Sequence, residues 1–276
     1  MSSVSQKRPP SVDRSFDFGC SLDDFEFSPH RDSRFLSRRL DEALLREGAT
    51  AGGRTLDVAC GSGRLVARLW ERGTEGWGLE PSREMLGISR WLFPAQQMNL
   101  VRSVAEVLPF RDGTFDRLIC QGSLDHFAYP HAFMEEAARV LKSNGRLVIA
   151  LANYESLSCR LGRLVHRLGR KRLTQPGERT RSYWEPPPDH HHKGEPAFVR
   201  RLGGKQLRLE RWFGVSLLWL LEGWGEWRWG RWLDEIPHAL AHAFLVTLDR
   251  IAYRLPVIAD VIVSVWRPGT TADVQL

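Results

Sequence analysis

The sequence predicts an α/β fold, in which a mostly parallel sheet carries helices on both faces, within a chain of 276 residues. Two observations support this prediction. Between residues 51 and 151, short apolar runs of strand character alternate with longer segments whose apolar residues recur at helical spacing. Hydrophobic residues make up 42% of the chain and charged residues 26%, a composition typical of a globular domain with a full core. Such alternation favours parallel strands joined by helical crossovers.

The chain before this core divides into two parts. Residues 1–14 are polar and are expected to form a disordered tail. Residues 15–50 are predicted to form a cap region, in which an aromatic and acidic stretch at 16–27 precedes a helix at 31–47. Apolar residues recur at helical spacing along this helix: Phe35, Leu36, Leu40, Leu44 and Leu45.

The core is predicted to span residues 51–151. Its expected elements are strands at 55–60, 77–80, 99–103, 116–121 and 146–151, with helices at 64–72, 82–91 and 131–141. In an open parallel sheet, ligands bind outside the carboxyl ends of the strands. Four polar residues fall at such ends: Asp57, Glu80, Glu106 and Gln121. We therefore expect one shared ligand site at this edge.

The alternation breaks after residue 151. Residues 152–205 are predicted to form a lid insertion with a basic amphipathic helix and three consecutive histidines at 190–192. Residues 206–276 are predicted to complete the sheet, with strands at 206–215 and 259–266 around a helix at 238–254. Six of the eleven tryptophans lie between Trp212 and Trp232, a cluster suited to a membrane interface, an apolar pocket or a buried hairpin.

The turn after the first core strand indicates a ligand that contains a ribose. Gly61 and Gly63 permit a tight turn and a close approach of the backbone to a ligand. The turn departs from the G-x-G-x-x-G pattern of dinucleotide sites, because Val66 stands at the third glycine position. Glu80 ends the next strand, where an acid can accept both hydroxyls of a ribose.

Four further motifs follow in order: Ala-Glu-Val-Leu-Pro-Phe at 105–110, Asp-Gly-Thr-Phe-Asp at 112–116, Ser-Leu-Asp-His-Phe at 123–127 and the run at 139–149. With the glycine turn, they make residues 54–151 resemble the class I S-adenosylmethionine-dependent methyltransferases, within the small-molecule group that includes quinone-biosynthesis enzymes. The rest of the chain resembles that group loosely. The resemblance implies a Rossmann-like sheet of seven strands that ends in a late hairpin, with S-adenosylmethionine as cofactor.

The resemblance also implies a set of cofactor-binding residues: Asp57, Ala59, Gly61, Gly63, Glu80, Pro81, Met85, Ala105, Glu106 and Gln121. It places the two glycines on the methionine moiety, Asp57 on its ammonium side and Glu80 on the ribose, while Met85 packs on the adenine. For Met85, an ordinary core position is the alternative.

Two positions depart from the family pattern. Ala59 replaces the first glycine of the turn, and Val104 replaces the acid that commonly precedes the alanine at 105. The exocyclic amine of adenine must then rely on backbone groups or on Glu106. For the predicted helix at 31–47, the family implies a cover over the cofactor cleft, and a simple cap on the sheet edge is the alternative.

Methyl transfer requires an aligned donor and acceptor, and a hydroxyl or carbon acid must also lose its proton. Histidine is the usual base. Asp125 and His126 follow the fourth core strand, and His191 lies in the lid insertion, so these three are the candidate catalytic residues. The alternatives are a structural hydrogen bond for His126 and solvated histidines in the insertion. No metal is predicted, because consecutive histidines project in different directions.

The expected function is O- or C-methylation of a small, apolar or lipid-like acceptor. A non-catalytic interaction module and a nucleic-acid methyltransferase are the alternatives. The second is disfavoured, because the chain has Gln-Gly-Ser-Leu at 121–124 where base-amine methyltransferases carry a Pro-Pro-aromatic turn. The net charge of +6 fits an anionic partner or an arginine-rich composition.

The expected location is the cytoplasm. The four cysteines form no C-x-x-C pair, and no apolar signal segment is visible near residue 1. The longest apolar run, at 215–221, is far shorter than the ~20 residues that span a bilayer. Between residues 160 and 181 there are eight Lys or Arg and one Glu, so the basic helix is either packed on the sheet or in peripheral contact with an anionic inner membrane surface.

Overall fold

The computed structural model describes residues 31–93, 98–168, 184–186, 190–204, 206–217 and 235–269. Within these residues, seven strands form one sheet in the order β3-β2-β1-β4-β5-β7-β6. The strands are β1 (Arg54–Val58), β2 (Glu75–Leu79), β3 (Asn99–Val101), β4 (Phe115–Gln121), β5 (Leu141–Ala152), β6 (Leu207–Val215) and β7 (Val261–Pro268). The predicted seven-stranded, mostly parallel, Rossmann-like sheet is confirmed.

Helices connect these strands as the alternation predicts. They are α1 (Arg31–Gly48), α2 (Arg64–Glu71), α3 (Arg83–Leu92), α4 (Pro130–Val140), α5 (Leu157–Arg167), α6 (Pro196–Arg201) and α7 (His238–Arg254). A short 3-10 turn at Leu124–His126 follows β4. Ser82 caps α3, because its hydroxyl accepts a hydrogen bond from the Met85 amide.

Strands β1 to β5 run parallel, and β7 inserts antiparallel between β5 and β6. This arrangement is the late hairpin that the resemblance implies. A bulge between Leu209 and Arg211 shifts the register of β6 against β7. The prediction for β1 was wrong at its end: the strand stops at Val58, so Ala59 and Cys60 lie in the following turn.

Two hydrophobic layers cover the two faces of the sheet. One contains Leu56, Leu118 and Phe133, and α4 and α6 contribute to it. The other contains Leu44 of α1 packed with Ile119 and Val263. Helix α1 therefore lies on one face of the sheet, over β4 and β5. It also reaches α2, because the buried Asp41 carboxylate accepts hydrogen bonds from the guanidinium groups of Arg64 and Arg68.

Several predicted segments lie outside the described residues: the tail and aromatic stretch before residue 31, the basic segment at 169–183 and the tryptophan-rich stretch at 218–234. In the part of the chain that the structure describes, no helix combines the length and the apolar character needed to cross a bilayer.

Candidate active site

The turn between β1 and α2, residues 59–63, is the centre of the predicted cofactor site, and we call it the glycine turn. Ala59, Gly61 and Gly63 all have positive φ angles, of 57°, 52° and 72°. Glycine adopts this left-handed region readily and alanine does not. A Cβ atom on Gly61 would meet only the Met85 methyl, at 3.4 Å, whereas one on Gly63 would lie 2.2 Å from Ser89 Oγ. Gly63 is therefore required for packing against α3.

Glu80 lies directly after β2 and is buried. Its Oε2 atom accepts a hydrogen bond from the Gly61 amide at 3.0 Å, and its Oε1 atom accepts one from the Ser82 amide at 2.9 Å. Burial raises the pKa of this carboxyl, and the two backbone hydrogen bonds act in the opposite direction. Glu80 thus ties the glycine turn to the start of α3.

Asp57 lies one residue before the end of β1 and is 3% exposed. Burial raises the pKa of its carboxyl to about 8. Arg64 opposes this shift, and the carboxyls of Glu80 and Asp41 add to it. At neutral pH the group keeps its proton in this environment. A cationic ligand beside it would favour the charged form.

The other predicted cofactor residues lie on several different elements of the fold. Met85, in the first turn of α3, faces Gly61. The Pro81 carbonyl accepts a hydrogen bond from Arg102 Nε at 2.9 Å. Ala105 is buried in the core layer of α4, and Glu106 Oε1 accepts a hydrogen bond from the Tyr129 amide at 3.3 Å. Gln121 is the last residue of β4.

A second group of polar residues lies after β4, which is the neighbour of β1 in the sheet. Asp125 and His190 are buried, with side chains 3% and 9% exposed, and His190 Nδ1 lies 2.9 Å from Asp125 Oδ2. The His126 and His190 rings have centroids 4.2 Å apart. We call Asp125, His126 and His190 the histidine cluster.

Residues 190–195 form a strap that brings His190 to this position. The His192 amide donates to the Asp125 carbonyl at 3.0 Å, and the Tyr154 amide donates to the Gly194 carbonyl at 2.9 Å. A Cβ atom on Gly194 would lie 2.1 Å from the Ala152 carbonyl oxygen. The strap therefore packs closely on the ends of β4 and β5, and glycine is required where it contacts β5.

The structure places the two candidate histidines from the sequence, His126 and His191, differently. His191 is exposed and lies outside the cluster, while its neighbour His190 contacts Asp125. Asp125 and His126 both belong to the cluster, and their catalytic roles stay a prediction. The sequence signal for His190 was the histidine run, which does not say which member turns inward.

The histidine cluster also has the donor set of a cation site. Asp125, His126 and His190 each offer one ligand atom, and these atoms lie within 4.8 Å of one another. Two imidazole nitrogens and a carboxylate oxygen suit a divalent transition metal. The prediction of no metal considered the consecutive histidines and did not anticipate this combination.

Comparisons with known proteins find related sequences and folds. Residues 56–149 match the family model described as a methyltransferase domain. A ubiquinone biosynthesis O-methyltransferase of Xanthomonas oryzae pv. oryzae is 30% identical over 122 residues, which cover 43% of this chain and 48% of that protein. An uncharacterized methyltransferase of Mycobacterium tuberculosis is 35% identical over 97 residues, 35% of this chain and 39% of that protein. The chain thus spans about half the length, or less, of these curated relatives.

Solved structures with low sequence identity share the fold. The PH0226 protein of Pyrococcus horikoshii OT3 superposes with a TM-score of 0.54 at 18% identity, over 87% of this chain and 92% of that one. A putative methyltransferase of Haloferax volcanii, in complex with the Trm112 methyltransferase activator, superposes with a TM-score of 0.54 at 19% identity, over 87% and 94%. At such identities the likeness concerns the fold.

Proposed function

We propose that this chain is a class I, S-adenosylmethionine-dependent methyltransferase that methylates a small, apolar or lipid-like acceptor at an oxygen or carbon atom. Residues 56–149 match the methyltransferase domain model, and the curated relatives described above are methyltransferases by name. The observation that carries the proposal is the Asp125–His190 pair after β4, next to the glycine turn that follows β1. A cofactor turn and a proton acceptor at adjacent strand ends are the two parts that such a reaction needs.

The residues around the glycine turn fit the cofactor. Three carboxyl groups lie at or near it, those of Asp57, Glu80 and Asp41. Because Arg64 and Arg68 both pair with Asp41, the carboxyl groups left for a cationic ligand are those of Asp57 and Glu80. We propose that Glu80 holds the ribose hydroxyls, Asp57 the ammonium side and Met85 the adenine. S-adenosylmethionine, when bound, supplies a methyl group on a positively charged sulfur.

We propose that His190 takes the proton from the acceptor, with Asp125 as its positioning partner. Asp125 Oδ2 lies 2.9 Å from His190 Nδ1, at an angle that does not make a hydrogen bond in this structure, so the orienting role of Asp125 is part of the proposal. In the tautomer with the hydrogen on Nδ1, Nε2 is the nitrogen that accepts a proton. This relation between a histidine and an orienting carboxylate is the arrangement that activates hydroxyl groups in many enzymes. His126 is the second candidate, since its ring packs against His190.

The relatives support oxygen as the acceptor atom, because the name of the Xanthomonas protein states O-methylation in ubiquinone biosynthesis. An apolar acceptor of that kind partitions into membranes. We therefore place the protein in the cytoplasm and at the inner membrane surface.

Calorimetric titration with S-adenosylhomocysteine tests the cofactor half of the proposal. We expect a micromolar dissociation constant, about −8 kcal/mol. Glu80→Ala should weaken binding about tenfold or more, because a hydrogen bond to a charged group contributes roughly 1.5–3 kcal/mol. Glu75→Ala is the matched control: Glu75 begins the strand that Glu80 follows, and it pairs with Arg54. Absence of binding, or tight binding of NAD instead, would refute the cofactor assignment.

The acceptor is identified by mass spectrometry of lipids and metabolites from cells with and without the gene. We expect an apolar compound to lose one methyl group in cells that lack the gene. A modified nucleoside as the sole difference would instead support nucleic-acid methylation.

A further inference from the structure

A groove runs between helix α1 and helix α7, and we call it the α1–α7 groove. Its cavity volume is about 640 Å³, which lies in the range of small-molecule sites. Helix α1 contributes Phe35 and Arg38 to its walls, and helix α7 contributes His242 and Arg250. None of the residues that line it belongs to the glycine turn or to the histidine cluster.

Helix α1 presents two different sides to its neighbours. Asp41 is on the side that contacts α2, where its carboxylate pairs with Arg64 and Arg68. Arg39 lies two residues earlier, about 200° around the helix, and pairs with Asp249 of α7. The α1–α7 groove follows this second side, away from the glycine turn that precedes α2.

The inner surface of the groove is apolar and aromatic. Leu245 and Val246 of α7 line it and are half-buried. The Phe35 ring meets the His242 ring edge-on, with centroids 5.8 Å apart, and the His238 ring lies nearly parallel to the His242 ring at 6.1 Å. Such rings and aliphatic side chains suit a flat apolar ligand.

The two carboxylates in the groove are engaged within the protein. Arg39 pairs with Glu42 at 2.7 Å and with Asp249 at 2.8 Å. Asp249 is buried and also accepts a hydrogen bond from the Ser216 amide. Neither carboxylate is therefore left to bind a cationic ligand.

Two further arginines in the groove remain for a ligand. Arg38 of α1 and Arg250 of α7 are exposed, and neither has an ion-pair partner in the part of the chain that the structure describes. Three arginines face two carboxylates, so the groove keeps a net positive charge. The first turn of α7, at His238, adds the positive end of a helix dipole. An anionic group is therefore favoured here.

We propose that the α1–α7 groove binds a small amphiphilic anion, an aromatic or aliphatic body that carries a carboxylate or phosphate. The body packs against Phe35, His242 and Val246, and the anionic group lies between Arg38 and Arg250. This site is additional to the proposed methyl-transfer site, and its occupation does not depend on that function.

Titration of the full chain with 2-naphthoate, followed by ligand-observed NMR, tests the proposal. Two matched probes separate the contributions: 2-naphthol has the same rings without the charge, and acetate has the charge without the rings. We expect each of them to bind at least about tenfold more weakly than 2-naphthoate, because each lacks one of the two kinds of contact. Binding of 2-naphthoate should also weaken as salt rises, since screening reduces the attraction of the arginines.

Variants at exposed positions locate the probe in the groove. Arg38→Glu and Arg250→Glu should each weaken 2-naphthoate binding about fivefold or more. His242→Ala should weaken it about threefold, because it removes a ring that packs on the ligand. Arg90→Glu is the matched control: Arg90 is exposed on α3, outside the groove, and the change of charge is the same. Thermal unfolding midpoints of these variants should match the wild type, so that loss of binding is not loss of fold.

Saturating S-adenosylhomocysteine should leave the affinity for 2-naphthoate unchanged, because the groove lies away from the glycine turn. Displacement of the probe would place it in the cofactor cleft and overturn the proposal. Absence of 2-naphthoate binding would overturn it too, as would equal affinity of the wild type and both arginine variants. Binding only after Asp23→Asn and Asp24→Asn are introduced together would assign the groove to the acidic stretch at 16–27 of this chain. The titration measures no methyl transfer, so its failure and the failure of the proposed function are distinguishable.

Discussion

The glycine turn and the histidine cluster lie at the ends of adjacent strands, β1 and β4, but the chain builds them differently. Asp57, the turn, Glu80 and Met85 belong to one continuous stretch of β-α-β-α structure. The histidine cluster joins the end of β4 to residue 190, which the strap brings back over the sheet. The proposed cofactor side is therefore encoded locally, and the proposed acceptor side depends on packing between distant segments. Substitutions in the strap are then expected to leave the glycine turn intact.

The prediction with the largest expected effect tests the histidine cluster separately from the glycine turn. His190→Ala should lower methyl transfer about 10²–10⁴-fold, because it removes the proposed proton acceptor. Its affinity for S-adenosylhomocysteine should stay at the wild-type value. The measurement is transfer of labelled methyl from S-adenosylmethionine to a lipid extract. His191→Ala is the control, since His191 is exposed and outside the cluster. Wild-type activity in His190→Ala would move the assignment to His126.

A second prediction concerns the cofactor side and pH. The pKa of Asp57 is about 8 in the folded chain and about 3.9 when unfolded, so the folded state binds the extra proton between these values. The contribution of this group to the stability of the ligand-free protein should therefore fall as pH rises from about 4 to about 8, by at most roughly 6 kcal/mol. Asp57→Asn should remove that fall and be more stable than wild type at pH 8.5 in urea unfolding, while binding the cofactor less tightly. If the stability of Asp57→Asn depends on pH in the same way as that of the wild type, the raised pKa assigned to Asp57 is wrong.

Two glycine substitutions provide a matched pair, one in each half. Gly63→Ala forces a Cβ atom against Ser89, and Gly194→Ala forces one against the Ala152 carbonyl. Each should cost about 1–3 kcal/mol of stability through overpacking. Gly63→Ala should weaken S-adenosylhomocysteine binding in calorimetry, whereas Gly194→Ala should lower turnover and leave that binding unchanged. Equal loss of both functions in both variants would show that the halves are not independent.

The smallest expected effect is a gain in stability within the glycine turn. Ala59 adopts a positive φ, which costs an alanine about 1–2 kcal/mol. Ala59→Gly relieves this cost but adds unfolded-state entropy, so we expect a net gain of about 0.5–1 kcal/mol in thermal unfolding. Ala137→Gly, in the ordinary helical backbone of α4, should destabilise instead. A loss in both variants would mean that the turn relaxes around alanine without strain.

The same contrast explains what the sequence could predict. The order of strands and helices, the glycine turn and the placement of Glu80 follow from apolar periodicity and spacing, which are local signals. The predicted strand at 55–60 includes Ala59, because an apolar residue after Val58 continues the run; the hint to a positive φ angle came only from the family, which has a glycine at this position. The choice of His190 over His191 depends on the path of the strap. That path is fixed by contacts with Asp125 and Tyr154, far away in the chain.

The position of β7 has a consequence for how the protein is made. Residues 261–268 fill the gap between β5 and β6, and both pairings are antiparallel. During synthesis, β1 to β5 leave the ribosome well before β7, so β5 presents an open hydrogen-bonding edge until the last strand arrives. Such an edge can pair with strands of other chains. Nascent chains that stop before residue 261 should therefore depend on chaperones. Once β7 pairs with β5, this edge is covered and can no longer pair with strands of other chains.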